Sequence, residues 1–186
     1  LGTIDDGLRT FDVIMRTEFG TTYNAYVLRG GDKNVVFETT KARFTDAFIE
    51  SLAQIIDPRE IDYLVISHTE PDHSGRIEKL LALNPGIQIV ATSTAIGFIK
   101  QILNRDFASI PVKTGDTLPL GNATMQFFAL PNLHWPDTMF TYIDTERALV
   151  TCDAFGAHYA FDAVLRSRIT QEADYQSALK FYFDNI

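Results

Sequence analysis

Asp62-Tyr63-Leu64-Val65-Ile66-Ser67, followed at once by His68-Thr69-Glu70-Pro71-Asp72-His73-Ser74-Gly75, decides how this 186-residue chain is read. The first six residues form a near-continuous apolar run, as in a strand covered on both faces of its sheet. A polar loop comes next, then a helix with Ile77, Leu80 and Leu81 on one side. Pro71 restricts the turn and Gly75 lets the following helix pack close to it. The chain has only four histidines, and two of them stand here with Glu70 and Asp72 inside six residues. A loop that merely caps a helix would account for Asp72 and Ser74 bonded to free amides. It would not account for His68, Glu70 and His73 in register with them. Nitrogen and oxygen donors at this spacing predict a metal site.

Working toward the N-terminus, the apolar runs Phe11–Arg16, Thr22–Leu28 and Asn34–Glu38 read as strands. The latter two are joined by Arg29-Gly30-Gly31-Asp32-Lys33, a hairpin-type turn. Phe44, Ala47, Phe48, Leu52 and Ile55 recur at helical spacing, which predicts a helix over residues 43–56, ended by Asp57-Pro58. Toward the C-terminus, Asn84-Pro85-Gly86 closes the central unit and Ile87–Ala91 is the next strand. Ala95, Ile96, Ile99 and Leu103 mark another helix. From Asp106 the pattern is β, with alternation over 124–129 and strands over Met139–Ile143 and Ala148–Cys152, before a final helix over Glu172–Ile186. This order predicts a layered α/β protein with a mixed sheet or two sheets. A phosphate-cradling glycine loop is not found, because Gly30-Gly31 falls in the hairpin and Gly115 and Gly121 are isolated.

Composition narrows the function. With 16 basic and 24 acidic side chains the net charge is −8, which argues against nucleic acid or an anionic membrane surface as partner. No apolar run approaches the about 20 residues of a membrane span. The single Cys152 rules out an internal disulfide and a four-cysteine metal module. Leu1–Asp6 carries no secretory signal, so a reducing, cytoplasmic location is expected. The absent initiator Met suggests that something upstream is missing. Cys152 is expected on a strand beside Asp153, pointing to the opposite face as a buried thiol with no nucleophilic role.

Two more residues share the setting of the first cluster. His134 lies in Leu130-Pro131-Asn132-Leu133-His134-Trp135-Pro136, just after a strand, and Asp153 ends the last strong strand in Cys152-Asp153-Ala154-Phe155-Gly156. Taken alone each reads as structural. Together with the first cluster, each stands where a strand meets a loop, as α/β sites do.

The segment H-x-E-x-D-H, then His134, then Asp153, resembles the metallo-β-lactamase-type domain of the flavodiiron proteins, soluble reductases of nitric oxide and dioxygen. Gly20-Thr21-Thr22-Tyr23-Asn24-Ala25-Tyr26, His134-Trp135-Pro136-Asp137-Thr138-Met139 and Asp153-Ala154-Phe155-Gly156-Ala157-His158-Tyr159 extend the likeness over nearly the whole chain. The fold it implies is an α/β metallo-β-lactamase-like αβ/βα sandwich with mixed sheets, occupying residues 1–186. Hydrolases of that superfamily show H-x-H-x-D-H and use zinc to activate water. Glu70 in the second position makes the site more oxygen-rich and more anionic, which suits iron better than zinc.

The resemblance implies a diiron centre, with one iron on His68, Glu70 and His134, the second on Asp72 and His73, and Asp153 bridging. It implies an oxidoreductase that takes dioxygen to water or nitric oxide to nitrous oxide, with electrons from a flavin mononucleotide (FMN). It further implies an electron-donor protein or reductase domain, and a homodimer in which Trp135 could face the partner's flavin, although a lone Trp reads first as core packing. In the family a further histidine, in a downstream Ser-His-Gly turn, completes the second iron site, and a flavodoxin-like domain binds the FMN. Neither lies in this sequence, so the chain is expected to be a fragment. His158 is open to a pocket role or a structural one, and Tyr23 and Tyr26 to pocket lining or packing. The alternatives are a flavin-free diiron oxygen sensor, a zinc hydrolase of the same superfamily, and a metal-free scaffold.

Overall fold

The computed structural model describes residues 1–185. Two small pairings open the chain: β1 (Gly2–Asp5), the hairpin strands β2 (Thr10–Phe11) and β3 (Met15–Arg16), and β4 (Thr21–Asn24), with β1 against β4 and β2 against β3. A five-stranded sheet follows in the order β5 (Tyr26–Arg29), β6 (Asn34–Phe37), β7 (Tyr63–Val65), β8 (Gln88–Thr92) and β9 (Ser109–Val112). β5 and β6 pair antiparallel, and the remaining neighbours are parallel. The crossovers between the parallel strands carry α1 (Thr45–Ile55), then α2 (Pro71–Ser74) and α3 (Ile77–Leu83), then α4 (Ser93–Leu103). β10 (Thr117–Pro119), β11 (Thr124–Ala129), β12 (Met139–Ile143) and β13 (Ala148–Val150) form an antiparallel meander, and α5 (Glu172–Asn185) comes last.

Strand alternation builds two cores from the central sheet. Val36, Leu64, Ile66, Ile89 and Ala91 face Phe48, Leu52, Ile77, Leu80, Ala95 and Ile99 of the helices. Val35, Phe37, Tyr63, Val65 and Val90 face Met125, Phe127, Met139 and Ile143 of the meander. Each fully buried Leu, Ile or Phe contributes on the order of 1.5–3 kcal/mol. The apolar run 62–67 is thus the strand with a core on each side, and the layers are helix, mixed sheet, antiparallel sheet. This is the expected layered α/β architecture with more than one sheet.

Both sheets end at one place. Met139 donates its N–H to the Ser67 carbonyl at 2.8 Å, Thr39 donates to the His73 carbonyl at 2.8 Å, and the Thr92 hydroxyl donates to the Asp137 carbonyl at 3.2 Å. These bonds tie the loops after β6, β7, β8 and β11 into one rim.

Three expectations change. Phe11–Arg16 is no single strand, because Asp12 takes a left-handed φ of 53° and folds it into the β2–β3 hairpin. Thr22–Leu28 breaks at Ala25, whose N–H bonds the Leu1 carbonyl, so β4 and β5 join different sheets. β13 stops at Val150, because Cys152 turns left-handed at a φ of 51°. The final helix is present through Asn185, and Ile186 lies outside the described residues. No helix among the described residues is long and apolar enough to cross a membrane.

Candidate metal centre

β7 ends under both cores and releases Ser67–Glu70 as a buried loop. Glu70 begins α2, with Pro71 as its first residue, where a missing N–H costs nothing. The Ser74 hydroxyl folds back onto the Thr69 carbonyl at 2.8 Å and also reaches that of Glu70 at 3.1 Å. The hydroxyl thus bonds carbonyls and caps no free amide. One turn of helix then carries Asp72 and His73 to the side on which His68 and Glu70 already lie. Gly75 follows at van der Waals limits: a Cβ there would stand 2.4 Å from the Pro71 carbonyl oxygen. His134 arrives from the β11–β12 loop with a left-handed φ of 76°, and Asp153 from the turn after β13.

The six side chains form two groups that share Asp153: His68, Glu70, His134 and Asp153 in one, Asp72, His73 and Asp153 in the other, with donor atoms inside each group within 4.8 Å of one another. In the first, Glu70 Oε2 lies 3.2 Å from His68 Nε2 and 3.0 Å from His134 Nε2. In the second, His73 Nε2 lies 3.4 Å from Asp72 Oδ2 and 3.0 Å from Asp153 Oδ1. Asp153 turns its other oxygen, Oδ2, to the first group, 3.7 Å from His68 Nε2. All three imidazoles therefore aim Nε2 inward.

The charge balance is unusual for a buried place. Among the described residues, the ionic partners of Glu70, Asp72 and Asp153 are histidines alone. Burial pushes the Glu70 carboxyl up, but hydrogen bonds to His134 and His68 outweigh it and hold Glu70 well below the usual carboxylate range. Burial likewise raises Asp153, and His73 reverses that shift to a net lowering. The Glu70 hydrogen bond raises His134. His73 is raised well above the ordinary histidine value: burial opposes its cation, but Cys152, Asp153 and Asp72 prevail. Asp72 Oδ1 and Glu38 Oε2 are buried without a hydrogen-bond partner. A buried carboxylate oxygen left unpartnered is costly, and a cation resolves the deficit at Asp72, whereas Glu38 Oε2 faces His73 Nδ1 at 3.5 Å. Three imidazoles with three inward carboxylates suit iron or another cation that takes mixed nitrogen and oxygen donors.

A cavity of about 750 Å³ reaches this centre, lined by Asp72, His73 and Asp153 together with Tyr23, Tyr26 and His158. Tyr23 and Tyr26 therefore do border a pocket. His158 also takes a defined seat: its Nδ1 is 2.9 Å from the Thr21 hydroxyl, and its ring lies 4.6 Å from Phe11 and 5.4 Å from Tyr182. The Trp135 and His68 ring centroids lie 5.6 Å apart, with the ring planes 64° apart.

Cys152 departs from its expected placement. It is off the strand, and its sulfur turns toward the site, 2.6 Å from His68 Nδ1 and 3.7 Å from His73 Nδ1. Burial pushes the thiol far above its ordinary value, in keeping with the expected lack of nucleophilic character. Glu38 and Asp12 were missed by the sequence reading. Glu38 Oε1 accepts the Ser67 N–H at 2.9 Å, and Oε2 faces His73 Nδ1 at 3.5 Å. The signal was an acidic residue ending the apolar run Val35-Val36-Phe37. Asp12 is raised by burial and then by its hydrogen bond to Glu70, with Lys41 3.9 Å away. A lone acid in a hairpin tip offers no such signal.

The family model described as "ODP family beta lactamase" matches residues 21–184. The flavo-diiron protein FprA2 of Clostridium acetobutylicum is 40% identical over 100% of this chain and 47% of its own length. The type A flavoprotein fprA of Rhodobacter capsulatus is 38% identical, over 100% of this chain and 43% of its own. The solved rubredoxin oxygen:oxidoreductase of Desulfovibrio gigas superposes with a TM-score of 0.94 at 33% identity, covering 100% of this chain and 46% of that one. The chain spans less than half the length of each of these proteins.

Proposed function

Since this chain belongs to the ODP family of beta lactamases, with flavodiiron proteins as its relatives, we propose that it is the metal-bearing domain of a diiron oxidoreductase that reduces dioxygen, nitric oxide or both. One observation carries the reading. Glu70, a carboxylate where a zinc hydrolase of this fold has imidazole, stands between His68 and His134 with its oxygen 3.2 and 3.0 Å from their Nε2 atoms.

His68, Glu70 and His134 would hold one iron, Asp72 and His73 the second, and Asp153 would offer one oxygen to each. Two bound irons supply single-electron steps and a two-point hold on a small substrate. The protein's own part is to orient and seal. With metal bound, each imidazole would offer Nε2 to it and carry its proton on Nδ1. The buried loop 67–70 keeps His68 and Glu70 from water, while His134 stays exposed. The cavity borders the second group at Asp72 and His73, which makes that side the approach for substrate.

Residues 1–186 constitute one metallo-β-lactamase-like domain in this reading. Electrons would come from FMN on a flavodoxin-like domain of the whole protein, fed by an electron-donor protein such as a rubredoxin. The protein would work in the cytoplasm as a homodimer. The test is elemental analysis of protein purified anaerobically after growth with iron and zinc both supplied. Iron at up to two equivalents per chain is expected. Two zincs and no iron would overturn the redox assignment.

A further inference from the structure

We propose that the sulfur of Cys152 is a shared support for both metal sites, accepting the Nδ1–H of His68 and of His73 and so orienting one imidazole at each metal. The inference rests on the metal reading above and assigns a role to a side chain outside the ligand set.

The geometry starts from the two rings. Their centroids lie 4.3 Å apart. Both turn Nε2 to the carboxylates, His68 to Glu70 and Asp153, His73 to Asp72 and Asp153. Both Nδ1 atoms therefore point away from the metal positions, to the side where the Cys152 sulfur stands 2.6 Å from one and 3.7 Å from the other. A histidine that binds metal through Nε2 carries a proton on Nδ1, and a fixed acceptor for that proton holds the ring's plane. His68 is 1% exposed, so bulk water cannot take that part. Thiol sulfur is a weak acceptor, adequate to orient an N–H without drawing off its proton.

The two histidines differ in what else they have. His73 Nδ1 also faces Glu38 Oε2 at 3.5 Å, whereas the side-chain partner recorded for His68 Nδ1 is Cys152. Both supports sit on left-handed backbone, Glu38 at a φ of 61° and Cys152 at 51°. Non-glycine residues rarely adopt that region, and where they do the surroundings must hold them there. Here Cys152 aims its sulfur at both rings and Glu38 aims its carboxylate at that of His73. Removal of Cys152 should therefore disturb both sites, and removal of the Glu38 charge should disturb the His73 site alone.

The experiment uses cobalt(II) as the probe metal in the wild-type protein and in Cys152→Ala, Cys152→Ser and Glu38→Gln. Binding is followed in the visible spectrum, and the exchangeable, metal-shifted imidazole N–H protons by NMR. Cys152→Ala is expected to weaken cobalt about 10–100-fold at both sites, the usual range for loss of such a support. Two N–H signals should broaden or exchange faster. Serine, which also accepts, should restore most of the affinity while moving both signals. Glu38→Gln should move one signal. Should the alanine variant fail to fold by circular dichroism, the serine variant decides by whether both signals move. Unchanged signals and affinities in the cysteine variants, or an effect on one histidine only, would overturn the role of Cys152 while leaving the metal reading intact. Failure of the wild-type protein to bind cobalt would overturn both.

Discussion

Glu70 concentrates the chemistry of this molecule in one substitution, carboxylate for imidazole. Its oxygen faces two histidine nitrogens, and their protons hold it ionised despite burial. Replacing it by histidine removes a negative charge and yields the nitrogen-rich donor set that zinc prefers. Glu70→His is therefore expected to shift the metal content from iron toward zinc, measured by elemental analysis after growth with both supplied. Unchanged iron loading in that variant would contradict the argument. The side chains that meet at this centre were legible for a simple reason. Four of them crowd into residues 68–73, and the other two stand at strand ends beside turn-forming prolines or glycine. Glu38 and Cys152 were not legible as supports, because neither carries a motif and each reaches the site through a left-handed backbone angle.

The segment from β7 to α3 shows why a tight turn of helix matters here. α2 spans only Pro71–Ser74, yet it must present Asp72 and His73 while the chain turns away at once into α3. Gly75 makes that exit: an added Cβ would lie 2.4 Å from the Pro71 carbonyl and 2.9 Å from that of Thr40. Both obstacles are backbone and cannot swing aside. Gly75→Ala is expected to destabilise the protein by about 1–3 kcal/mol, as overpacking does, and to lower metal content at the His73 site first. Thermal unfolding and metal titration of the variant would check this, and an unchanged melting temperature would contradict it. The strand with a core on both faces was predictable from its continuous apolar run. The β2–β3 hairpin and the break between β4 and β5 were not, because each is decided by a backbone angle or by a hydrogen bond to a distant carbonyl rather than by periodicity.

Across the whole molecule, the centre couples stability to pH, and the sign depends on metal. Without metal, His73 and His134 have raised values, so their stabilising pairing is full below the ordinary histidine range and is lost as pH rises through the raised values. Glu70 and Asp153 are depressed, so their contribution is present above the ordinary carboxylate range and is lost only as pH falls through the depressed values. The chelated protein should therefore be most stable between about pH 4.5 and about 6.5, and its melting temperature should fall toward pH 9. Metal must displace the Nε2 protons, so metal affinity should rise over the same alkaline window. Calorimetry with and without chelator would read both trends, and a chelated protein that gains stability above neutrality would contradict the scheme.

The donor types, their order and the layered α/β plan could be had from the chain alone, since contiguous residues and strand periodicity are local properties that survive without coordinates. Which donors share a metal position is implied by the family resemblance but follows from no local pattern. The partition around Asp153 and the inward Nε2 atoms join distant residues, and the sulfur beneath two rings joins residues 84 and 79 positions apart. Such contacts follow from where two sheets end and how three left-handed residues, Glu38, His134 and Cys152, aim their side chains. Packing sets those angles, and no local pattern encodes them.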